Sequence, residues 1–157
     1  KRSPYDTGIR TPIILRWKNK IQPELDSVHP AVSIDIVPTV LQCCGLDLPD
    51  QLPGVDLLDV DQRKDRPAVF AENYTHDFTT ADSSLLERVV ISDRWKLILP
   101  ETGRSVLTGP ELYDLKNDPM ERRNMADQLP EKVAEMTSML PSLWEPISWE
   151  AAGKTLH

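Results

Sequence analysis

Lys1 stands ahead of the run Tyr5-Asp6-Thr7-Gly8-Ile9-Arg10-Thr11-Pro12, which leads into the apolar stretch Ile13-Ile14-Leu15. A cation placed before a tight turn reads as an anion-facing loop, and the apolar stretch as the buried strand it feeds. Asp6 and Arg10 are spaced to brace that turn as a pair. Tyr5 reads as a packing residue and Gly8 as the source of a positive φ. The other candidate groups offer less. His29, His76 and His157 show no His-x-x-x-His spacing, and no Ser/His/Asp constellation can be argued from their positions. Asp56, Asp59 and Asp61 lack the Asp-x-(Asp/Asn)-x-(Asp/Asn)-Gly order that wraps calcium, so they read as a solvated acidic loop. No metal site is expected in this chain. Cys43 and Cys44 are neighbours, a geometry unsuited to a disulfide, and read as small core residues.

The elements that must position these groups are legible from periodicity. Pro12 to Trp17 reads as a strand buried on both faces, of the kind a parallel sheet supplies. Asp35 is placed to cap a short helix, with Pro38 in its first turn, Ile34, Val37, Leu41 and Cys44 on one face, and Gly45 closing it. From Asp47 to Pro67 prolines and acids dominate, which predicts a crossing between domains. Beyond it lie strand candidates at Ala68–Glu72, Glu87–Ile91, Trp95–Leu99 and Glu111–Leu115, with a hairpin turn at Ser92-Asp93-Arg94 and a stop at Asn117-Asp118-Pro119. Short strands close in sequence favour an antiparallel sheet. Pro130 then opens a helix whose Val133, Met136, Leu140 and Leu143 form an apolar stripe, and Pro141 should kink or stop it. The expected domains are 1–48, the tail of a larger α/β domain; 49–67, the crossing; and 68–157, a small α+β subdomain.

Composition narrows the function classes. A formal charge of −7, with no basic stripe, argues against a nucleic-acid partner, since such partners are held by released counterions. No apolar run approaches the roughly 18 residues of a membrane span, so the chain reads as soluble. At 39% hydrophobic and 27% charged residues the composition is that of a globular protein. No basic n-region followed by an apolar h-region opens the chain.

Four segments together carry a family resemblance. Lys1-x-x-x-Tyr5-Asp6-Thr7-Gly8-x-Arg10-x-Pro12 resembles the Lys-x-x-x-Tyr-(Glu/Asp)-Gly-Gly-x-Arg-x-Pro segment of the sulfatases, in the alkaline phosphatase superfamily, with Thr7-Gly8 where that family has two glycines. Val32 to Leu41, containing Asp35-Ile36-Val37-Pro38-Thr39-Val40-Leu41, is similar to the family's Asp-(Leu/Ile)-x-Pro-Thr-(Leu/Val)-Leu helix. Arg94-Trp95-Lys96-Leu97-Ile98 resembles its Arg-(Tyr/Trp)-Lys-Leu-Ile strand. Glu111-Leu112-Tyr113-Asp114-Leu115, followed by Asp118-Pro119, Glu121 and Asn124-Met125-Ala126, resembles the family's Glu-Leu-Tyr-Asp-Leu-x-x-Asp-Pro-x-Glu-x-x-Asn-Leu-Ala segment. The matches run in the family's order over most of Lys1 to Ala126.

The resemblance implies an α/β protein: the C-terminal fragment of a sulfatase-like fold, ending in a small four-stranded antiparallel sheet packed with a C-terminal helix. It implies that Lys1 contacts the sulfate being cleaved. An ammonium aimed at the bridging oxygen of a sulfate ester favours the transition state, by about 3–4 kcal/mol if it is worth as much as one oxyanion donor. His76, in the loop from Asn73 to Leu86, is expected to rim the substrate pocket. The family's formylglycine nucleophile, made within a (Cys/Ser)-x-Pro-x-Arg motif, and its calcium are implied for the parent enzyme, whereas no such motif occurs here. The expected partners are a sulfated small molecule or glycan and the N-terminal catalytic part, with self-association through exposed apolar surface. The alternatives are a phosphate or phosphonate ester hydrolase of the same superfamily, or a non-catalytic binding or assembly module. Resemblance to exported and lysosomal hydrolases points to a periplasmic, secreted or lysosomal setting.

Overall fold

Two apolar runs, Leu85–Ser92 and Trp95–Pro100, pair antiparallel across the turn at Asp93-Arg94, where Asp93 takes φ 52° and Ser92 faces Trp95. The computed structural model describes residues 3–49, 52–76 and 84–140. These runs are β2 and β3 of a four-stranded sheet in the order β1-β2-β3-β4, with β1 at Val69–Tyr74 and β4 at Glu111–Asp114. The register Val89↔Ile98↔Glu111 and Ile91↔Lys96↔Tyr113 places Glu87, Lys96, Glu111 and Tyr113 on one face, because side chains alternate along a strand. That face also holds a core of Val89, Ile98 and Tyr113, against which Tyr5, Ile9 and Leu107 pack. On the opposite face Val90, Leu97 and Leu112 are buried as well. A helix at Pro130–Ser138 packs against β2 and β3 with Met136 and Leu140 buried. Pro130 sits in its first turn as expected, while Pro141 and Leu143 lie outside the described residues.

The described parts of Lys1–Ile9 and Phe70–His157 form this compact unit, and Arg10–Val69 forms another. In the second unit the expected strand at Pro12 to Trp17 is absent. These residues have no regular structure, and Ile14 is 84% exposed. A parallel strand needs hydrogen-bonding neighbours, and none among the described residues pairs with it.

The helix expected after Asp35 is present at Ile36–Cys43, preceded by a 3-10 turn at Ser33–Asp35. Gly45 closes it at φ 69°, with Leu46 N–H donating to Leu41 O and Gly45 N–H to Gln42 O, a Schellman arrangement. Its expected apolar face is turned largely outward, however: Ile34, Val37 and Cys44 are exposed and Leu41 is half-buried, whereas Asp35, Pro38 and Thr39 are buried. Asp35 does not cap the helix with its side chain. Its carboxylate instead accepts the N–H groups of Val32 (2.8 Å) and Val55 (3.0 Å) and both arms of the Arg66 guanidinium (3.0 and 2.5 Å). The acidic stretch expected as a crossing is folded by these bonds. Leu57 is buried and donates its N–H to Thr39 Oγ1 at 2.8 Å. A short helix follows at Val60–Asp65, capped by the Asp59 side chain.

Candidate functional site

The segment leading out of Lys1 is one helical turn, Asp6–Ile9, lashed to the sheet. Tyr5 O accepts from Gly8 N (2.7 Å) and Ile9 N (3.0 Å). Gly8 does not supply the positive φ expected of it. A Cβ there would lie 2.2 Å from Ser3 O, so glycine is required by the closeness of the returning backbone.

Tyr5 is more than a packing residue. Its hydroxyl donates to Glu111 Oε2 at 2.7 Å, and the Tyr113 hydroxyl donates to the same oxygen at 2.9 Å. The two rings meet edge to face, 6.1 Å between centroids. Burial and then the Glu111 carboxylate push the Tyr5 phenol up to about 12, and the same causes push Tyr113 well above the ordinary phenol range. Both therefore remain hydrogen-bond donors to Glu111 at any physiological pH.

Asp6 is tied to residues distant in sequence. Its N–H donates to Glu121 Oε2 at 2.6 Å, and its carboxylate accepts from Lys96 Nζ at 3.0 Å. The same ammonium lies 2.5 Å from Glu121 Oε1. Lys96 is fully buried and the Glu121 side chain is 4% exposed, so the three charges form a desolvated cluster beneath the turn. Asp6, expected to brace the turn with Arg10, thus pairs with Lys96 of β3.

Beside this cluster a cleft of about 460 Å³ opens between the Ser3-Pro4-Tyr5 wall and the residues around Asn73, His76, Glu87 and Arg104. Glu87 is buried at its floor, its carboxylate accepting from Asn73 Nδ2 at 2.7 Å and from the Ser105 hydroxyl. His76 is exposed and lines the same cleft. Lys1 lies outside the described residues.

The remaining candidates belong to the unit Arg10–Val69. His29 Nδ1 lies 3.0 Å from Asp26 Oδ2, and Arg63 pairs with the same carboxylate. Burial pushes the Asp26 carboxyl up, but the N–H groups of His29 and Val28 and the His29 ring outweigh it and bring it down to about 2. Asp56 and Asp59 accept backbone N–H groups of their own loop, Asp56 from Leu58 and Asp59 from Asp61 and Gln62. Cys43 and Cys44 are free, and Cys44 is exposed, not a core residue. Among the described residues no group of three His, Cys, Asp or Glu side chains could hold a metal ion, and no helix is long and apolar enough to cross a membrane.

A family model described as N-sulphoglucosamine sulphohydrolase, C-terminal, matches residues 1–146. The chain belongs to this sulfatase family. It is 28% identical over 149 residues to arylsulfatase K of Xenopus laevis, which covers 91% of this chain and 27% of that protein. The solved structure of a 2-O GAG sulfatase superposes with a TM-score of 0.54 at 26% identity, over 78% of this chain and 26% of that one. The phosphonate monoester hydrolase of Agrobacterium radiobacter superposes with a TM-score of 0.50 at 26% identity, over 69% and 24%. The fold is thus that of a sulfatase C-terminal fragment in the alkaline phosphatase superfamily, and the chain spans about a quarter of the length of these relatives.

Lys96, Glu111 and Glu121 escaped sequence reasoning as site residues because each matched a family segment that identified the fold alone. A lysine within the apolar strand Trp95-Lys96-Leu97-Ile98 was the available signal. A buried lysine demands a counter-charge.

Proposed function

We propose that the complete protein hydrolyses sulfate esters of a sulfated small molecule or glycan, and that this chain supplies the lysine on the leaving-group side together with one wall of the substrate cleft. The observation that carries this reading is the convergence of Tyr5, Asp6, Lys96, Glu111 and Glu121, drawn from three of the family segments, on the turn that follows Lys1. In this reading the Lys1 ammonium meets charge developing on the bridging oxygen as the S–O bond breaks, and the His76 imidazole contacts substrate at the mouth of the cleft. The N-terminal catalytic part brings the formylglycine nucleophile and calcium. The described residues do not fit a calcium cage, and nothing in the chemistry assigned to this chain passes through one. Residues 1–48 belong to the tail of the large α/β domain, 49–67 to the crossing and 68–157 to the small subdomain. Similarity to arylsulfatase K and to a 2-O GAG sulfatase supports sulfate esters as substrate. Similarity to a phosphonate monoester hydrolase supports the second reading, a phosphate or phosphonate ester hydrolase.

Enzymes remove about 8–23 kcal/mol from a barrier. One lysine worth about 3–4 kcal/mol cannot supply that. The 157-residue chain alone is therefore expected to show no turnover of 4-nitrophenyl sulfate in calcium-containing buffer. Measurable release of nitrophenol would refute the assignment of the nucleophile to another part of the protein. In the complete protein, a preference for 4-nitrophenyl phenylphosphonate over the sulfate would favour the second reading.

A further inference from the structure

We propose that Glu87 sets the specificity of the cleft: its carboxylate accepts a hydrogen bond from a hydroxyl of the sugar that carries the sulfate ester. This rests on the function proposed above and names the kind of ring the cleft takes.

Charged side chains are rarely buried without a partner of opposite sign. Among the described residues three acids are buried, Asp35, Glu87 and Asp114. Asp35 pairs with Arg66, and Asp114 with Arg94 at 3.1 Å. Glu87 departs from that rule. It is 3% exposed, and the described groups that meet its carboxylate are neutral: Asn73 Nδ2 at 2.7 Å on Oε2, and the Ser105 hydroxyl on Oε1. Packing alone gives no reason for a carboxylate here, since an apolar side chain of similar volume fills space without the cost of desolvating a charge.

The reason lies in what Glu87 borders. It lines the cleft of about 460 Å³ and is the one acid among the described residues that do so. That volume falls within the roughly 300–1,000 Å³ of small-molecule sites. An ionised carboxylate offers about four acceptor positions, and the bonds from Asn73 and Ser105 leave room for further donors. A sulfated sugar supplies such donors in its hydroxyls. A second sulfate or a carboxylate at the same place meets a like charge where water cannot screen it. His76 and Arg104 line the same cleft and are both exposed, so the basic side chains lie where solvent reaches and the acid where it does not. A ring bound here therefore turns a hydroxyl inward and its anionic group outward. Selection of this kind is sharp, because a ligand without the hydroxyl excludes water from the buried acceptor and gives it no donor in return.

The test uses the complete protein with a panel of galactose and glucose monosulfates, and with 4-nitrophenyl sulfate, which carries no hydroxyl. For Glu87→Gln, the ratio of kcat/KM for the best sugar sulfate to kcat/KM for 4-nitrophenyl sulfate is expected to fall about tenfold to a hundredfold, with the loss carried by KM. Monodeoxy analogues of that sugar sulfate then locate the hydroxyl. One of them should lose a similar factor with the natural protein and little more with Glu87→Gln, a non-additivity that a purely structural role of Glu87 does not produce. An unchanged ratio, or additive effects for every analogue, overturns the inference. Should Glu87→Gln not fold, Glu87→Asp, which keeps the charge but withdraws it from the ring, passes through the same comparison with the same outcomes. A protein that hydrolyses 4-nitrophenyl sulfate but no sugar sulfate overturns the inference and leaves the proposed function standing, whereas one that hydrolyses no sulfate ester refutes that function and the inference with it.

Discussion

Glu111 accepts two phenol hydroxyls on one oxygen, and that arrangement has a pH signature. The Tyr5 phenol ionises at about 12 in the folded chain, against 10.0 in an unperturbed setting, because burial and the Glu111 charge disfavour a second anion beside it. A raised folded value means that the native state binds the proton more tightly than the unfolded one. The resulting stabilisation is complete below pH 10 and is lost as pH rises from 10 toward 12. Urea midpoints measured across that interval should therefore fall steeply for the natural sequence and less steeply for Tyr5→Phe, which has no proton to lose. Absorbance titration near 295 nm should show one ionisation with a midpoint near 12 disappearing in the variant. Equal slopes for the two proteins would mean that Glu111 does not govern Tyr5. Glu111 lay within the segment that identified the family, but nothing local announced its partners: Tyr5 is 106 residues away in sequence.

At the scale of elements, local chemistry was readable and long-range pairing was not. All four strands and the helix at Pro130 were predicted, because alternation, turn residues and a proline at the first helical position act within a few residues. The strand at Pro12 to Trp17 was misread for the same reason. Its apolar composition states what it prefers to bury against, and no neighbour among the described residues meets that preference. The cleft was harder still, since its walls come from residues 3–5, 73–76, 86–87 and 104–107, far apart in sequence. Asp35 shows how a local reading fails productively. A sequence places it as a helix cap, whereas the fold makes it the anchor of a distant loop, paired with Arg66. Removing one partner of such a buried pair costs about 3–5 kcal/mol, while removing both charges costs much less. Arg66→Met should accordingly accelerate hydrogen exchange of the amides of the Ile36–Cys43 helix, and adding Asp35→Asn should restore much of the protection. Exchange unchanged in Arg66→Met would show that the pair does not hold that helix.

The distribution of apolar surface over the whole molecule bears on what the chain does alone. Among the described residues, the exposed large hydrophobic side chains other than Val106 and Met120 all belong to the unit Arg10–Val69, where Ile14, Leu25 and Val28 are each more than three-quarters exposed and Ile36, Val37 and Val40 project from one helix. The sheet unit, by contrast, buries Val89, Val90, Leu97, Ile98 and Leu112 almost completely. One unit thus carries a closed core and the other a face in want of a cover. The chain matches about a quarter of the length of arylsulfatase K, and under the function proposed above the N-terminal catalytic part would cover this face. Left uncovered, apolar surface of this extent associates, since burying it is favourable by roughly 25 cal/mol per Å². The isolated chain should therefore sediment as an oligomer whose mass rises with concentration, and Val37→Lys with Val40→Glu should shift it toward monomer without altering the sheet unit. The catalytic part supplied in trans should compete with self-association, because both need the same side chains. A monomer at high concentration with a single cooperative unfolding transition would mean that the Arg10–Val69 unit is complete as it stands, and its outward valines would then need another explanation.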